Sequence, residues 1–293
     1  MNKMYKYSFI IPHKNCPELL WRCIQSIPER ADVQIIVVDD NSDPEIVDFT
    51  KFPGQNRSNV NIVLTKEGRG AGYARNVGLN KASGQWVLFA DADDYYEDGF
   101  LAVLDRELNN EEIMYFNVKA SLSDVDCRGN RIHTYYDELF WNAKEQIRFR
   151  FWAPWNKVFN LGWIRDKGFL FEETPIVNDA IFCLSASKEA KRYKIINDSL
   201  YVLTDQPGSI TYRQRSFERS LIVLRQDLKI NKLLKVNNIN YVRASTISFL
   251  SLIRSIKLFG WKKTRAILNE VKQYNPICRE LIEATIYNIK NKR

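Results

Sequence analysis

Histidine is almost missing from this sequence: its 293 residues include only His13 and His133. A metal centre built on imidazole is thereby excluded, so any divalent ion would be held by oxygen ligands. Cysteine is sparse too. Cys16, Cys23, Cys127, Cys183 and Cys278 are odd in number and form no CxxC pair, which argues against a disulfide framework or a zinc module and favours a reducing compartment. No apolar run approaches the roughly 20 residues that cross a bilayer; Ala244 to Ile253 is too short and is broken by Ser and Thr. Met1 to Tyr7 lack the apolar stretch of a secretory leader. Internal repeats and low-complexity linkers are absent. The expectation is a cytoplasmic protein, at most peripheral on the inner face of a membrane.

What is present is ordinary globular composition, 45% hydrophobic and 27% charged, with length enough for one large domain and an appendage. The formal charge is +8, and the excess gathers from Arg213 onward. Such a face is either solvated or drawn to an anionic surface, lipid headgroup or phosphate. No nucleic-acid-binding motif accompanies it, so nucleic acid is not expected as a partner.

Strand and helix alternate through the first hundred residues. Tyr7 to Ile11 is an apolar run stopped by Pro12, and Val33 to Val38, Ile62 to Leu64 and Trp86 to Phe89 are further strand candidates. Asn15 and Pro17 open a helix with Leu19, Leu20, Cys23, Ile24 and Ile27 on one face, and a second helix spans Gly70 to Lys81. This alternation predicts right-handed βαβ units and a mostly parallel sheet flanked by helices. A helix through Phe100 to Leu108 and a strand near Ile113 to Val118 follow, then a polar, turn-like stretch from Asp124 to Arg131. From Ser216 on, Leu221, Leu224, Leu228, Ile230 and Leu233-Leu234 recur at helical spacing.

Chemistry concentrates at the strand ends, where open α/β sheets bind ligands. Asp91-Ala92-Asp93-Asp94 follows one strand. Three carboxylates there repel one another, a cost that Mg²⁺ or Mn²⁺ would offset; the plain alternative is an exposed acidic turn. Asp39-Asp40-Asn41-Ser42 follows another strand. Between the two acidic sites lies Gly68 to Gly78, whose glycine-rich backbone and cations Arg69 and Arg75 suit a phosphate.

Taken in order, Ile10-Ile11-Pro12, Ile36 to Ser42, Ala74 to Gly78 and Phe89 to Asp94 resemble the family 2 glycosyltransferases of the GT-A fold. The likeness resumes at Ala153 to Phe159 and Asn178 to Phe182 and fades after about residue 215. It implies a GT-A catalytic domain over residues 1–215, with a nucleotide-binding half (1–100) and an acceptor half (101–215), and a C-terminal helical region over 216–293. It also implies a metal-dependent, inverting transferase that uses a nucleoside-diphosphate sugar, UDP-linked by first preference, and a saccharide or lipid-linked saccharide acceptor. Position by position, Pro12, Asp39 and Asp40 should meet the base, Arg69 and Arg75 the nucleotide, Asp91 the ribose and Asp93 a Mn²⁺ or Mg²⁺ ion. Asp94, Trp155, Lys157 and Asn178 are candidate sugar or acceptor contacts.

Inversion needs a base opposite the departing diphosphate. In this family it is commonly the Asp of a Glu-Asp pair; the matching place reads Asn178-Asp179, so Asp179 is the candidate, with Glu172 and Glu173 in reserve. Asn178 cannot ionise, which removes a like charge beside Asp179. The competing role for Asp179 is a helix N-cap. Trp152, Trp155 and Trp163 are either sugar platforms or core. A segment from Thr204 to Thr211, followed by Arg213, matches a loop that closes over the diphosphate in related enzymes. Leu250, Leu252, Ile253, Ile256, Leu258 and Phe259, with Arg254, Lys257, Lys262, Lys263 and Arg265, form an amphipathic basic stretch suited to an anionic membrane. Two other readings stand beside this one: a nucleotidyltransferase, although Pro12-His13-Lys14-Asn15 does not resemble its Gly-rich loop, and a catalytically lapsed scaffold.

Overall fold

Strand β1 (Tyr5–His13) is buried along most of its length, as an apolar run flanked by strands on both edges must be. In the computed structural model, which describes residues 5–121, 127–204, 216–236 and 249–272, β1 pairs in parallel with β2 (Val33–Asp40) and with β4 (Gly84–Phe89). β3 (Val60–Thr65) continues the parallel set beyond β2. Helix α1 (Pro17–Ser26) joins β1 to β2, and α2 (Ala71–Lys81) joins β3 to β4. Pro17 sits in the first turn of α1, where a missing N–H breaks no helical bond. Leu20, Cys23 and Ile24 on that helix are buried against one face of the sheet; Ala74 and Leu79 of α2 are buried against the other.

The chain then adds β5 (Tyr95–Tyr96), α3 (Phe100–Glu107), β6 (Ile113–Ala120), α4 (Arg128–Asn142), α5 (Ile147–Arg150), β7 (Lys157–Asn160), α6 (Leu161–Asp166), α7 (Ala180–Glu189) and β8 (Tyr193–Leu203). The sheet runs β3-β2-β1-β4-β7-β6-β8-β5. It is mixed rather than wholly parallel: β7 lies antiparallel between β4 and β6, and β5 lies antiparallel on β8. The stretch read as a polar turn from Asp124 to Arg131 is helical from Arg128 onward.

Aromatic clusters brace both faces. Phe171 stacks on Phe182 at 4.0 Å and meets Phe89 at 4.9 Å. On the other face Tyr96 stacks on Phe100 at 4.4 Å and meets Tyr201 edge-on at 5.0 Å. Each such pair contributes about 0.5–1.5 kcal/mol beyond its area. Phe89 and Tyr96 flank the acidic turn, so both clusters hold its ends.

The chain divides into two compact units, Met1–Tyr212 and Arg213–Arg293. In the second, α8 (Phe217–Val236) buries Leu224, Leu228, Ile230 and Leu234. α9 (Phe249–Lys272) breaks at Gly260, whose backbone has φ +79°, a conformation glycine adopts without a Cβ penalty. Phe217 meets Phe259 at 5.6 Å, closing this pair of helices. Among the described residues, no helix is long and apolar enough to cross a membrane.

Candidate active site

Strand order reverses at β1: β2 and β3 lie to one side, β4 and the later strands to the other. Such a switch point opens a crevice at the carboxyl ends of the strands. α2 can lie close over β1 because position 78 is glycine; a Cβ there would sit 2.3 Å from Ile10 Cγ2.

At the end of β1, half-buried Pro12 stands beside Val38 of β2 in the sheet register. The next residue, His13, is buried and its Nδ1 lies 2.7 Å from Asp39 Oδ2. Its Nε2 accepts the Cys16 N–H at 3.2 Å, which leaves the ring proton on Nδ1 and makes it the donor to Asp39. Asp39 also accepts the Ser42 N–H at 2.9 Å and the Ser42 hydroxyl at 2.6 Å. Burial alone would raise this carboxyl, but the bonds from His13 and Ser42 outweigh it and hold the group below its ordinary range. Asp40 turns to the glycine-rich segment, accepting the N–H groups of Arg69 at 3.0 Å and Gly70 at 2.7 Å. Both aspartates therefore fix the loops at the carboxyl ends of β1, β2 and β3. Each Asp40 oxygen takes a single bond there and keeps a lone pair.

The acidic turn follows β4. Asp91, Asp93 and Asp94 bring carboxylate oxygens within 4.8 Å of one another. Burial, then the neighbouring Asp91 charge, pushes the Asp93 carboxyl up; Asp94 is pushed well up by burial and by both neighbours. Tyr201 of β8 organises the turn from below. Its hydroxyl accepts the Asp91 N–H at 2.9 Å and bonds the Asp94 carboxylate. An all-oxygen trio whose charge raises its own members fits a divalent cation, with Asp93 and Asp91 the more open ligands.

Arg75 joins this turn to the second half of the domain. One guanidinium nitrogen donates to Asp91 Oδ1 at 2.6 Å and the other to Asn178 Oδ1 at 2.8 Å. The segment around Asn178 is laced to α2 and to the loop before it: Asn76 and Phe171 exchange two bonds of 2.9 and 2.8 Å, and Arg69 of that loop pairs with Glu173. Gly72 permits the approach, since a Cβ there would meet the Glu172 carbonyl oxygen at 2.0 Å. Asp179 stands at the N-cap position of α7, yet its side chain makes no capping hydrogen bond. Burial raises its carboxyl and Arg75 pulls it back in part; with Asn178 neutral, burial is the dominant influence.

Three expectations are corrected. Trp155 is 4% exposed and stacks on Tyr201 at 6.0 Å with rings 3° from parallel, so it is core and offers no face to a sugar. Lys157 is wholly buried, and its ammonium donates to the carbonyls of Phe151 and Ala153 and to Asn156 Oδ1 at 2.7–2.9 Å. All three of its protons are engaged, and burial lowers its pKa to about 8. Asp94 is buried and holds the Thr204 N–H at 2.7 Å, which makes it a brace of the turn rather than a sugar contact. Trp163 packs on Phe169 at 5.4 Å, and the indole N–H of Trp152 goes to the Phe149 carbonyl at 2.8 Å. Arg213 and the stretch Asp205 to Thr211 lie outside the described residues.

Three participants escaped the sequence reading. His13 was visible as half of an unusual pair of histidines, but its partner Asp39 is 26 residues away. Tyr201 carries no local signal. Arg22 of α1 donates to the Asp93 carbonyl at 2.5 Å and to Thr204 Oγ1 at 3.0 Å, a link no spacing rule reveals.

Residues 8–165 match the profile of Glycosyl transferase family 2. The chain is 26% identical over 216 residues to the uncharacterized glycosyltransferase EpsJ of Bacillus subtilis (strain 168), covering 70% of this chain and 62% of that protein. It is 24% identical over 208 residues to the Staphylococcus aureus poly(ribitol-phosphate) beta-N-acetylglucosaminyltransferase TarS, covering 68% of this chain and 35% of that protein. The chain thus spans less than two thirds of the length of either relative. S. aureus TarS 1-349 in complex with UDP-GlcNAc superposes with a TM-score of 0.65 at 19% identity, covering 94% of this chain and 81% of that one. The mannosyltransferase PcManGT from Pyrobaculum calidifontis, in complex with GDP-Man and Mn²⁺, gives 0.56 at 14% identity, covering 100% and 89%. Both share this fold.

Proposed function

Because this chain belongs to glycosyl transferase family 2, we propose that it moves a monosaccharide from a nucleoside-diphosphate sugar to a saccharide or lipid-linked saccharide acceptor, inverting the anomeric carbon. A UDP-sugar is the favoured donor and a cell-surface polysaccharide the favoured product. The observation that supports the reading is the Arg75 bridge, which ties Asp91 of the acidic turn to Asn178, the residue before Asp179, whose side chain makes no capping bond to α7. The UDP-GlcNAc bound by TarS supports the donor choice.

In this reading Pro12, Asp39 and Asp40 receive the base, and Arg69 and Arg75 attract the phosphates. Mn²⁺ or Mg²⁺ held by Asp93, with Asp91 beside it, would neutralise charge on the departing diphosphate. Asp179 accepts the acceptor hydroxyl's proton while that oxygen bonds to the anomeric carbon. The carbon–oxygen bond to the diphosphate breaks with its electron pair, so attack from the opposite face inverts the centre. Burial makes the Asp179 carboxylate a stronger proton acceptor than an exposed one.

Calorimetric titration with UDP, GDP and CDP, with and without Mn²⁺, tests the reading. Micromolar, metal-enhanced binding of one nucleotide supports it. A folded protein that binds none of them returns the chain to the lapsed-scaffold alternative.

A second reading concerns α9. Ile256, Leu258 and Trp261 are exposed there among Lys257, Lys262, Lys263 and Arg265, a combination that favours the surface of an anionic membrane; the side chains of Leu250, Leu252, Ile253 and Arg254 are outside the described set. Co-sedimentation with anionic liposomes, and not with neutral ones, is the expected result.

A further inference from the structure

We propose that Arg22 is the positioning residue of the metal-binding turn: it sets the backbone of Asp93 so that the carboxylate faces the cation. The inference rests on the metal-dependent reading above. Arg22 lies on α1, in the nucleotide-binding half, beside the exposed Trp21. A single guanidinium nitrogen donates to the Asp93 carbonyl at 2.5 Å and to Thr204 Oγ1 at 3.0 Å. The Thr204 N–H is in turn held by Asp94 Oδ1 at 2.7 Å. These bonds close a ring that runs from Asp93 through Arg22 and Thr204 to Asp94, and back through the Asp93–Asp94 peptide bond.

The ring has a physical purpose. Three carboxylates within 4.8 Å of one another repel, and a turn free to relax would splay them apart. Gripping the turn by its main chain holds it in register while leaving the Asp93 carboxylate unspent. A cation is the right residue for that grip, since its charge also offsets the repulsion. Arginine suits better than lysine. The planar head, 5.0 Å from the Tyr95 ring centroid, is fixed by the aromatic face while it reaches two acceptors.

The measurement is UDP binding by calorimetry in excess Mn²⁺ and in EDTA, read as the ratio of the two dissociation constants. Arg22→Met should reduce the metal-linked gain by about 10-fold or more, the usual cost of losing a support behind a metal ligand. Binding in EDTA should stay within about twofold of wild type, which a general loss of structure would not allow. Arg22→Lys should recover part of the gain, and Thr204→Val, which removes one acceptor and keeps the cation, should lose a smaller part. A full metal-linked gain in Arg22→Met overturns the inference. If that variant does not fold, an unchanged gain in Thr204→Val overturns it equally. A wild-type protein with no metal-linked gain overturns the metal reading itself, and this inference with it.

Discussion

Arg75 donates to Asn178 Oδ1 at 2.8 Å across 103 residues of sequence, and the other end of the same guanidinium holds Asp91. The two bonds leave from different guanidinium nitrogens, and a lysine ammonium, whose donors all radiate from one nitrogen on a flexible stem, does not reproduce that rigid fork. Arg75→Lys should therefore lower kcat/KM by about 100-fold, in the range lost when a positioning contact is displaced. Steady-state kinetics beside a thermal melt will separate this from unfolding, because the fold should remain intact.

Asp179 supplies a pH signature. Burial raises its carboxyl, so the acidic limb of kcat/KM should sit above the ordinary aspartate value of about 3.9. Asn178→Asp, which adds a like charge, should move that limb higher still. The linkage sign follows: the folded state holds this proton more tightly than the unfolded chain. Its contribution to stability is thus complete below about pH 3.9 and is lost as pH rises through the folded value. Asp179→Asn should cost about 10²–10⁴-fold in kcat, with UDP affinity unchanged by calorimetry.

Asp94→Asn tests the crowding of the acidic turn. The amide oxygen can still accept the Thr204 N–H, but the amide nitrogen cannot accept from the Tyr201 hydroxyl, while one of three mutually crowding acids is removed. The relief and the lost bond oppose each other, so in EDTA the variant should melt within about 2 °C of the wild type. Added Mn²⁺ should stabilise it less than it stabilises the wild type.

Lys157→Met tests whether that ammonium is a structural pin. Two carbonyls and an amide oxygen would lose their donor, at a cost of about 2–4 kcal/mol in urea unfolding. A substrate-binding role would instead raise KM and leave the unfolding midpoint unmoved. In the wild type, burial lowers this pKa from 10.5 to about 8. Between those values the unfolded chain binds more protons, so this group's contribution to stability should rise with pH across that window.

The first hundred residues were legible because their signals are local. Buried apolar runs ending in acid, a Pro-opened helix and a Gly-rich helix entry each announce themselves within a few residues, and β1, α1, β2, α2 and β4 lie where those signals stand. β7 was harder to read. Four residues placed antiparallel between β4 and β6 take their identity from neighbours distant in sequence. Trp155 and Lys157 misled for a related reason: aromatic and cationic side chains look alike in sequence whether they meet a sugar or their own core, and only burial separates them. The acidic turn was read correctly as a cluster, but its supports, Arg22 and Tyr201, come from before and well after it and leave no periodic trace.

The pairing of β5 with β8 also bears on how the molecule is made. The turn at Asp91 to Asp94 leaves the ribosome long before Tyr201 and Thr204, the residues that brace it. Until β8 emerges, three carboxylates wait on an unclosed edge of the sheet, and the long-range contacts that settle them carry the loop-closure cost of the intervening chain. The first hundred residues can thus collapse early around β1 and β2, but the acidic turn is finished late. A nascent chain stalled before residue 193 would carry every acidic residue of that turn, and Arg22, without the bonds from Tyr201 and Thr204.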